Sequence, residues 1–227
     1  MELRHKPLGG LHQPPGHCSG GHLDQPRLHK YAAAIWFLGQ RRRVYDRLIA
    51  LSGARKGDTV LDVGCGTGYL TQRAAHAVGP RGRVVGVDPA APAIAYARSV
   101  SPPNCDFHVA GGEAIPEPDA SFDVVVSSLA IHHIPPQERP VALGEMYRVL
   151  GPGGRLLIAD FRPPRNRAVN RLIGALSGPA MQHNPIDQLA GLVTDAGFEV
   201  SGSGDRWPWL RYIQAQRSSG ASGISQR

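Results

Sequence analysis

Val60-Leu61-Asp62-Val63-Gly64-Cys65-Gly66-Thr67-Gly68-Tyr69-Leu70-Thr71 decides the reading of this 227-residue chain. It opens as a short run of strand formers carrying one acid. Glycine then stands at every second position through Gly64, Gly66 and Gly68. From Tyr69 onward the apolar period is that of a helix. A strand that turns sharply through glycines into a helix aims backbone N–H groups and open space at one ligand. The three glycines supply the φ freedom and the missing Cβ atoms that close approach requires.

The ligand can be narrowed from what the loop lacks. A phosphate-gripping loop carries Gly-Lys-Ser/Thr at the helix start, and this chain has no such tripeptide. A dinucleotide fingerprint needs Gly-x-Gly-x-x-Gly, and Tyr69 stands where its last glycine belongs. That disfavours a nicotinamide-dependent oxidoreductase, which stays as an alternative function, as does a cofactor-binding module without catalysis. Downstream, Val84-Val85-Gly86-Val87-Asp88 reads as a second strand ending in a carboxylate. Asp88 lies about 20 residues beyond the loop, where a ribose-binding acid belongs. One carboxylate can accept hydrogen bonds from both ribose hydroxyls.

Four ordered blocks then carry a resemblance. They are Leu61–Gly68, Gly86-Val87-Asp88, Pro118-Asp119-Ala120-Ser121-Phe122-Asp123-Val124-Val125, and Glu145-Met146-Tyr147-Arg148-Val149-Leu150-Gly151-Pro152-Gly153-Gly154-Arg155-Leu156. In these blocks the chain resembles the class I S-adenosylmethionine-dependent methyltransferases, in the small-molecule branch that includes ubiquinone and menaquinone biosynthesis methyltransferases. The resemblance spans roughly Val60 to Phe161. It implies S-adenosyl-L-methionine as cofactor and a methyl transfer to an oxygen, carbon or nitrogen nucleophile of a small molecule by direct in-line displacement.

The resemblance also implies site residues. Gly64, Cys65, Gly66, Thr67 and Gly68 form the loop against the cofactor, with Asp88 and Pro89 beside it. Asp62 helps organise the methionine end, or else only caps the loop. After strand three, many relatives carry an aspartate that reads the adenine amino group. Here that position is Gly111, within Ala110-Gly111-Gly112-Glu113-Ala114. Backbone groups near Gly112 or the side chain of Glu113 are then the candidates. Strand four ends in Ser127, followed by Ser128-Leu129-Ala130-Ile131-His132-His133-Ile134. The Asn/Asp-Pro-Pro-Tyr of amino-group methyltransferases is absent, which disfavours nucleobase methylation. His132 or His133 is the candidate general base, since neutral imidazole titrates near working pH; packing is the alternative role.

Composition bounds the rest. With 41% hydrophobic residues the chain can bury one sizeable core. Mean hydropathy is −0.23, and the longest apolar run, Ala32–Leu38, is too short to span a bilayer. No signal peptide is read, and a cytoplasmic setting is expected. Cys18, Cys65 and Cys105 are odd in number and far apart, so no disulfide framework follows. The formal charge of +7 does not make a nucleic-acid protein. Lys6, Lys30 and Lys56 are the only lysines, and the arginines are scattered. No nucleic-acid partner is expected, and no metal: His5, His12, His17, Cys18, His22 and His29 match no zinc spacing.

In chain order, residues 1–27 read as a disordered Gly/Pro/His-rich tail. Residues 28–216 read as the catalytic domain and 217–227 as a flexible tail. An amphipathic helix is expected over Leu28–Leu51, with Arg41-Arg42-Arg43 interrupting its apolar face. Strands over Val60–Val63, Arg83–Val87, Cys105–Val109, Phe122–Ser127 and Arg155–Ala159 alternate with helices over Thr67–Val78, Pro92–Val100 and Pro136–Leu150. Arg162–Asp187 is a long insertion, read as a cap over the acceptor pocket, with a surface decoration or homodimer contact as alternatives. A helix over Ile186–Ala196 closes at Gly197, and Phe198–Ser201 and Leu210–Gln216 look like a final strand pair. This order predicts an α/β fold: a Rossmann-like, doubly wound sheet, mostly parallel with an antiparallel strand near the C-terminus, and helices on both faces.

Overall fold

The computed structural model describes residues 40–162, 186–206 and 209–219. They form α1 (Arg41–Ser52), β1 (Thr59–Val63), α2 (Tyr69–Val78), β2 (Arg83–Asp88), α3 (Ala91–Val100), β3 (Cys105–Val109), β4 (Phe122–Ser128), α4 (Arg139–Val149), β5 (Leu150–Phe161), α5 (Leu189–Asp195), β6 (Glu199–Arg206) and β7 (Leu210–Gln216). Short 3₁₀ turns stand at Ile131–His133 and Ile186–Gln188.

The strands alternate apolar side chains between two covered faces, as parallel strands buried on both sides must. Val60, Val84, Val124 and Val126 face one layer, where Tyr45, Leu48 and Ile49 of α1 meet Leu70, Ala74 and Val78 of α2. Leu61, Val63, Val125 and Ile158 face the other, against Leu143 and Met146 of α4 and Leu189 and Val193 of α5. Ile94 and Ala97 of α3 pack on Phe107 and Cys65. Each fully buried side chain of this size stabilises the fold by about 1.5–3 kcal/mol.

The sheet has seven strands in the order β3-β2-β1-β4-β5-β7-β6. β1 to β5 pair in parallel, and β7 runs antiparallel to both β5 and β6. The order reverses direction between β1 and β4, which opens a crevice at their carboxyl ends. The expected fold class therefore holds.

The boundaries differ in instructive places. β5 begins at Leu150, well before Arg155, because Leu150 pairs with Phe122 and Gly153 and Gly154 exchange backbone hydrogen bonds with Arg217. Arg217, expected to open a flexible tail, is instead anchored. Its Nη1 donates to the carbonyls of Tyr147, Arg148 and Leu150, and its guanidinium lies 4.7 Å from the Tyr147 ring centroid. β6 continues to Arg206, past the expected Ser201, because it pairs with β7 along its whole length through one bulge between Val200 and Gly202. The 28–39 part of the expected N-terminal helix, the 1–27 tail, the insertion over 163–185, Trp207-Pro208 and the end from 220 lie outside the described residues. Among the described residues no helix is long and apolar enough to cross a membrane.

Arg148 fastens the loop that precedes β4 to α4. Its guanidinium donates to Glu145, to Asp119 and to the carbonyls of Glu117 and Ile115. Five N–H donors in one rigid fork make arginine suited to this. The clamp holds Ile115–Asp119 beside the sheet and thereby fixes the segment that carries Gly112 and Glu113.

Candidate functional site

The glycine loop hangs from the end of β2. The amides of Gly64 and Cys65 both donate to the Val87 carbonyl, at 2.9 and 3.0 Å. The Gly66 amide donates to Asp88 Oδ2 at 2.8 Å, and the Ala90 amide to Asp88 Oδ1 at 2.9 Å. Each carboxylate oxygen thus takes one backbone N–H and retains a second acceptor direction. Pro89 follows on the exposed rim.

The loop is walled on two sides and open on the third. A Cβ on Gly64 would lie 2.2 Å from Ala130 Cβ, so the chain after β4 presses directly on it. A Cβ on Gly68 would lie 2.9 Å from Ala97 Cβ and 3.2 Å from Phe107. A Cβ on Gly66 would meet nothing within 4 Å. Open space therefore stands above Gly66, next to the Asp88 carboxylate. Leu129 helps to make the wall: its φ of 56° turns the chain after Ser128 back onto the loop. A non-glycine residue held there costs about 1–3 kcal/mol.

The loop's side chains are mostly committed elsewhere. Cys65 is buried against Ile94, Ala97 and Phe107, and burial pushes its thiol well above the ordinary range. Thr67 is half-buried on the rim. Asp62 is 1% exposed and faces the α2 layer, at a position where the alternation calls for an apolar residue. Thr71 of α2 donates its hydroxyl to Asp62 Oδ2 at 2.6 Å. Burial raises the Asp62 carboxyl from 3.8 to about 7, with the charge of Asp88 adding to the shift and the Thr71 hydrogen bond opposing it. Ser127 spends its hydroxyl on the Val63 carbonyl at 2.9 Å and is buried, so it ties β4 to β1.

Gly112 is buried, where a Cβ would come within 3.1 Å of Val63. Gly111 is informative for the opposite reason. A Cβ on it would fall 2.0 Å from Glu113 Oε1 and 2.4 Å from Oε2. The Glu113 carboxylate fills the volume into which a side chain at 111 would grow. Glu113 is exposed to solvent on its other side.

His132 is brought to the carboxyl end of β5. Its Nδ1 lies 2.6 Å from Asp160 Oδ1, and its amide donates to Asp160 Oδ2 at 2.9 Å. The Phe161 amide also donates to Asp160. Both side chains are interior, at 2% and 1% exposure. An Asp on Nδ1 favours the tautomer with its proton there, leaving Nε2 as the basic nitrogen. The exposed His133 ring lies 4.0 Å from that of His132, centroid to centroid. Sequence reasoning passed over Asp160, although an acid ends the apolar run of β5 just as Asp88 ends that of β2.

Arg41 and Tyr45 complete the rim. The Arg41 guanidinium carbon stands 3.9 Å from the Tyr69 ring centroid and 5.5 Å from that of Tyr45. In the sequence Arg41 reads only as an interruption of a helix face. Among the described residues no group of three or more metal-ligating side chains occurs.

Comparison with known proteins agrees with this arrangement. The protein-family profile described as "Methyltransferase domain" matches residues 60–154. The chain is 38% identical over 135 residues to the ubiquinone/menaquinone biosynthesis C-methyltransferase UbiE of Hahella chejuensis, covering 57% of this chain and 53% of that protein. It is 32% identical over 178 residues to the UbiE of Escherichia fergusonii, covering 66% of this chain and 70% of that one. The chain spans about half the length of the first of these relatives, Hahella UbiE and its Pseudomonas counterparts. Among solved structures, a SAM-dependent methyltransferase from Aquifex aeolicus superposes with a TM-score of 0.68 at 21% identity, covering 85% of this chain and 98% of that one. The [4+2]-cyclase SpnF superposes with a TM-score of 0.64 at 19% identity, over 78% of this chain and 81% of that one. At these identities the structural likeness is one of fold.

Proposed function

From the chain's membership of the class I S-adenosylmethionine-dependent methyltransferases, among the relatives of UbiE, we propose that it transfers a methyl group from S-adenosylmethionine to an oxygen, carbon or nitrogen nucleophile of a small molecule in the cytoplasm. The observation that carries this reading is the open space over Gly66 beside the Asp88 carboxylate. It suits a ligand with a vicinal diol and no phosphate, since an acid would repel phosphate there.

The cofactor supplies a methyl group already activated on a sulfonium. This chain's residues have three tasks. Asp88 holds the ribose hydroxyls with its remaining acceptor directions, and the main chain of Gly64–Gly68 shapes the floor, with Thr67 and Pro89 at its edge. Asp62 faces the cationic methionine end, and Glu113 accepts from the adenine amino group in place of a side chain at 111. Gly112 and Ser127 act through packing, holding the chain on either side. Fixing donor and acceptor in line can supply roughly 7–11 kcal/mol of the barrier. His132, oriented by Asp160 through Nδ1, is the group placed to take an acceptor proton through Nε2.

Isothermal titration of the purified protein with S-adenosylhomocysteine tests the binding half. A one-to-one complex is expected, and a folded protein that takes none would overturn the reading. Incubation with labelled cofactor and a metabolite extract tests the transfer half, read as a small molecule gaining one methyl unit.

A further inference from the structure

Among the described residues seven polar or charged side chains belong to buried residues, and six of them are matched inside the protein. Ser52 donates to the Ile49 carbonyl, Asp62 and Thr71 share a hydrogen bond, Ser127 holds the Val63 carbonyl, and His132 pairs with Asp160. Arg139, 8% exposed, is the seventh. Its Nε donates to the Ile134 carbonyl at 2.9 Å, which is a neutral partner. Among the described residues no carboxylate stands within ion-pair distance of its guanidinium. The stretches 163–185, 207–208 and 220–227 contain no Asp or Glu. Arg73, Arg148 and Arg155, all in wetter surroundings, each hold a carboxylate.

The helix adds to this charge instead of offsetting it. Arg139 is the first residue of α4, at the positive end of the helix dipole, and the first turn has no acid. A buried charge with no counter-charge is expensive to keep. Its place says where a counter-charge would come from. α4 begins on the side of the sheet where β4 ends, which is the side of the crevice. Helical side chains lean toward the N-terminus of their helix, so Arg139 leans toward that opening. The residue whose carbonyl it holds, Ile134, follows His133 directly. The Ile134 side chain reaches Gly112, where a Cβ would lie 3.5 Å from Ile134 Cδ1. Arg139 thus belongs to the wall that joins the candidate base to the Gly112 segment.

We propose that Arg139 binds a carboxylate of the methyl acceptor, so that the acceptor is an organic acid whose nucleophile is a separate group presented to His132. With Nε committed to Ile134, the two terminal nitrogens are left to make the paired hydrogen bonds by which arginine grips a carboxylate. This rests on the methyltransferase reading and deepens it by naming the class of acceptor. A neutral analogue leaves the buried cation unmatched, so the site discriminates against it.

Wild-type protein incubated with methyl-labelled S-adenosylmethionine and a metabolite extract should yield a product that an anion exchanger retains at pH 7 and that loses carbon dioxide on fragmentation. With that acceptor, Arg139→Gln should raise KM about 10- to 100-fold, the range of a hydrogen bond to a charged group, with a smaller effect on kcat. Arg139→Lys should recover part of the loss. Melting curves without ligand separate this from a structural role. Gln retains a donor for the Ile134 carbonyl and removes the unpaired charge, so Arg139→Gln should melt no lower than the wild type. A labelled product without a carboxylate, or wild-type KM in Arg139→Gln, would overturn the carboxylate site while leaving methyl transfer standing. A variant that melts lower and loses kcat with KM unchanged would do the same. No labelled product from folded wild-type protein would sink both readings.

Discussion

The amide of Gly66 donates to Asp88 Oδ2 at 2.8 Å, so the acid at the end of one strand sets the shape of a loop that leaves its neighbour. The same carboxylate orders the loop and faces the open space beyond it. Asp88→Ala should therefore weaken S-adenosylhomocysteine binding by roughly 1.5–3 kcal/mol. It should also speed hydrogen exchange at Gly66 in the ligand-free protein. Calorimetry giving wild-type affinity in a folded variant would remove Asp88 from the site.

Asp62 should make the ligand-free protein lose stability as pH rises. Its carboxyl is raised from 3.8 to about 7, chiefly by burial. Between those values the folded state holds a proton that the unfolded state has released. Its stabilising effect is complete below pH 4 and is lost as pH climbs through 7. Urea melts at pH 5 and pH 8 should show a difference of a few kcal/mol that Asp62→Asn reduces. A ligand ammonium beside Asp62 favours the ionised form, so S-adenosylhomocysteine should raise the melting temperature more at pH 8 than at pH 6. A flat response across that range would separate Asp62 from the ligand.

Gly111 and Glu113 should respond to substitution as a pair. Gly111→Asp alone drives a new side chain into the Glu113 carboxylate, whose Oε1 lies 2.0 Å from where its Cβ would be. The Glu113 carboxylate must then move aside, and two carboxylates crowded into one place repel. The single variant should bind S-adenosylhomocysteine less well than the wild type, and Gly111→Asp with Glu113→Gly should recover it. Glu113→Ala should also narrow the preference for an adenosyl over an inosyl ligand. Unaltered preference would assign adenine reading to the backbone.

The His132–Asp160 contact, at 2.6 Å, predicts a two-part phenotype. Asp160→Asn frees the imidazole tautomer and replaces one of the two oxygens that accept the His132 and Phe161 amides with an NH2 group, so one of those amides loses its buried acceptor. Stability should fall by about 1–3 kcal/mol. If the pair takes the acceptor proton, turnover in His132→Gln should drop about 10²- to 10⁴-fold. Full turnover in a folded His132→Gln variant would make the pair a structural clip.

Much of this was legible in the residues. The strand-glycine-helix turn, the acid closing β2 and the parallel alternation each follow from local chemistry, because a buried strand must be apolar and a close approach must be side-chain-free. β3 and β7 match their expected bounds for the same reason. What stayed hidden depends on contacts distant in sequence. Arg217 looks like the first residue of a Ser/Gly-rich end, and its partners, among them the carbonyls of Tyr147 and Leu150, come from far earlier in the chain. Arg41 looks like a flaw in an amphipathic helix until Tyr69 appears beneath it. Ser127 looks like a ligand contact from its place in the motif, and only the Val63 carbonyl shows that its hydroxyl is already used.

Among the described residues β7 is the last strand, yet it lies between β5 and β6. Among the described residues β6 has no other hydrogen-bonded neighbour in the sheet. During synthesis β6 therefore emerges with nothing to pair with and must wait for Leu210–Gln216. A nascent chain halted before that point displays two orphaned strand borders, on β5 and β6, both open to self-association. The final seven-residue strand is thus a latch that closes the sheet, and polypeptides cut short of it are expected to enter inclusion bodies even though every residue of the glycine loop is present.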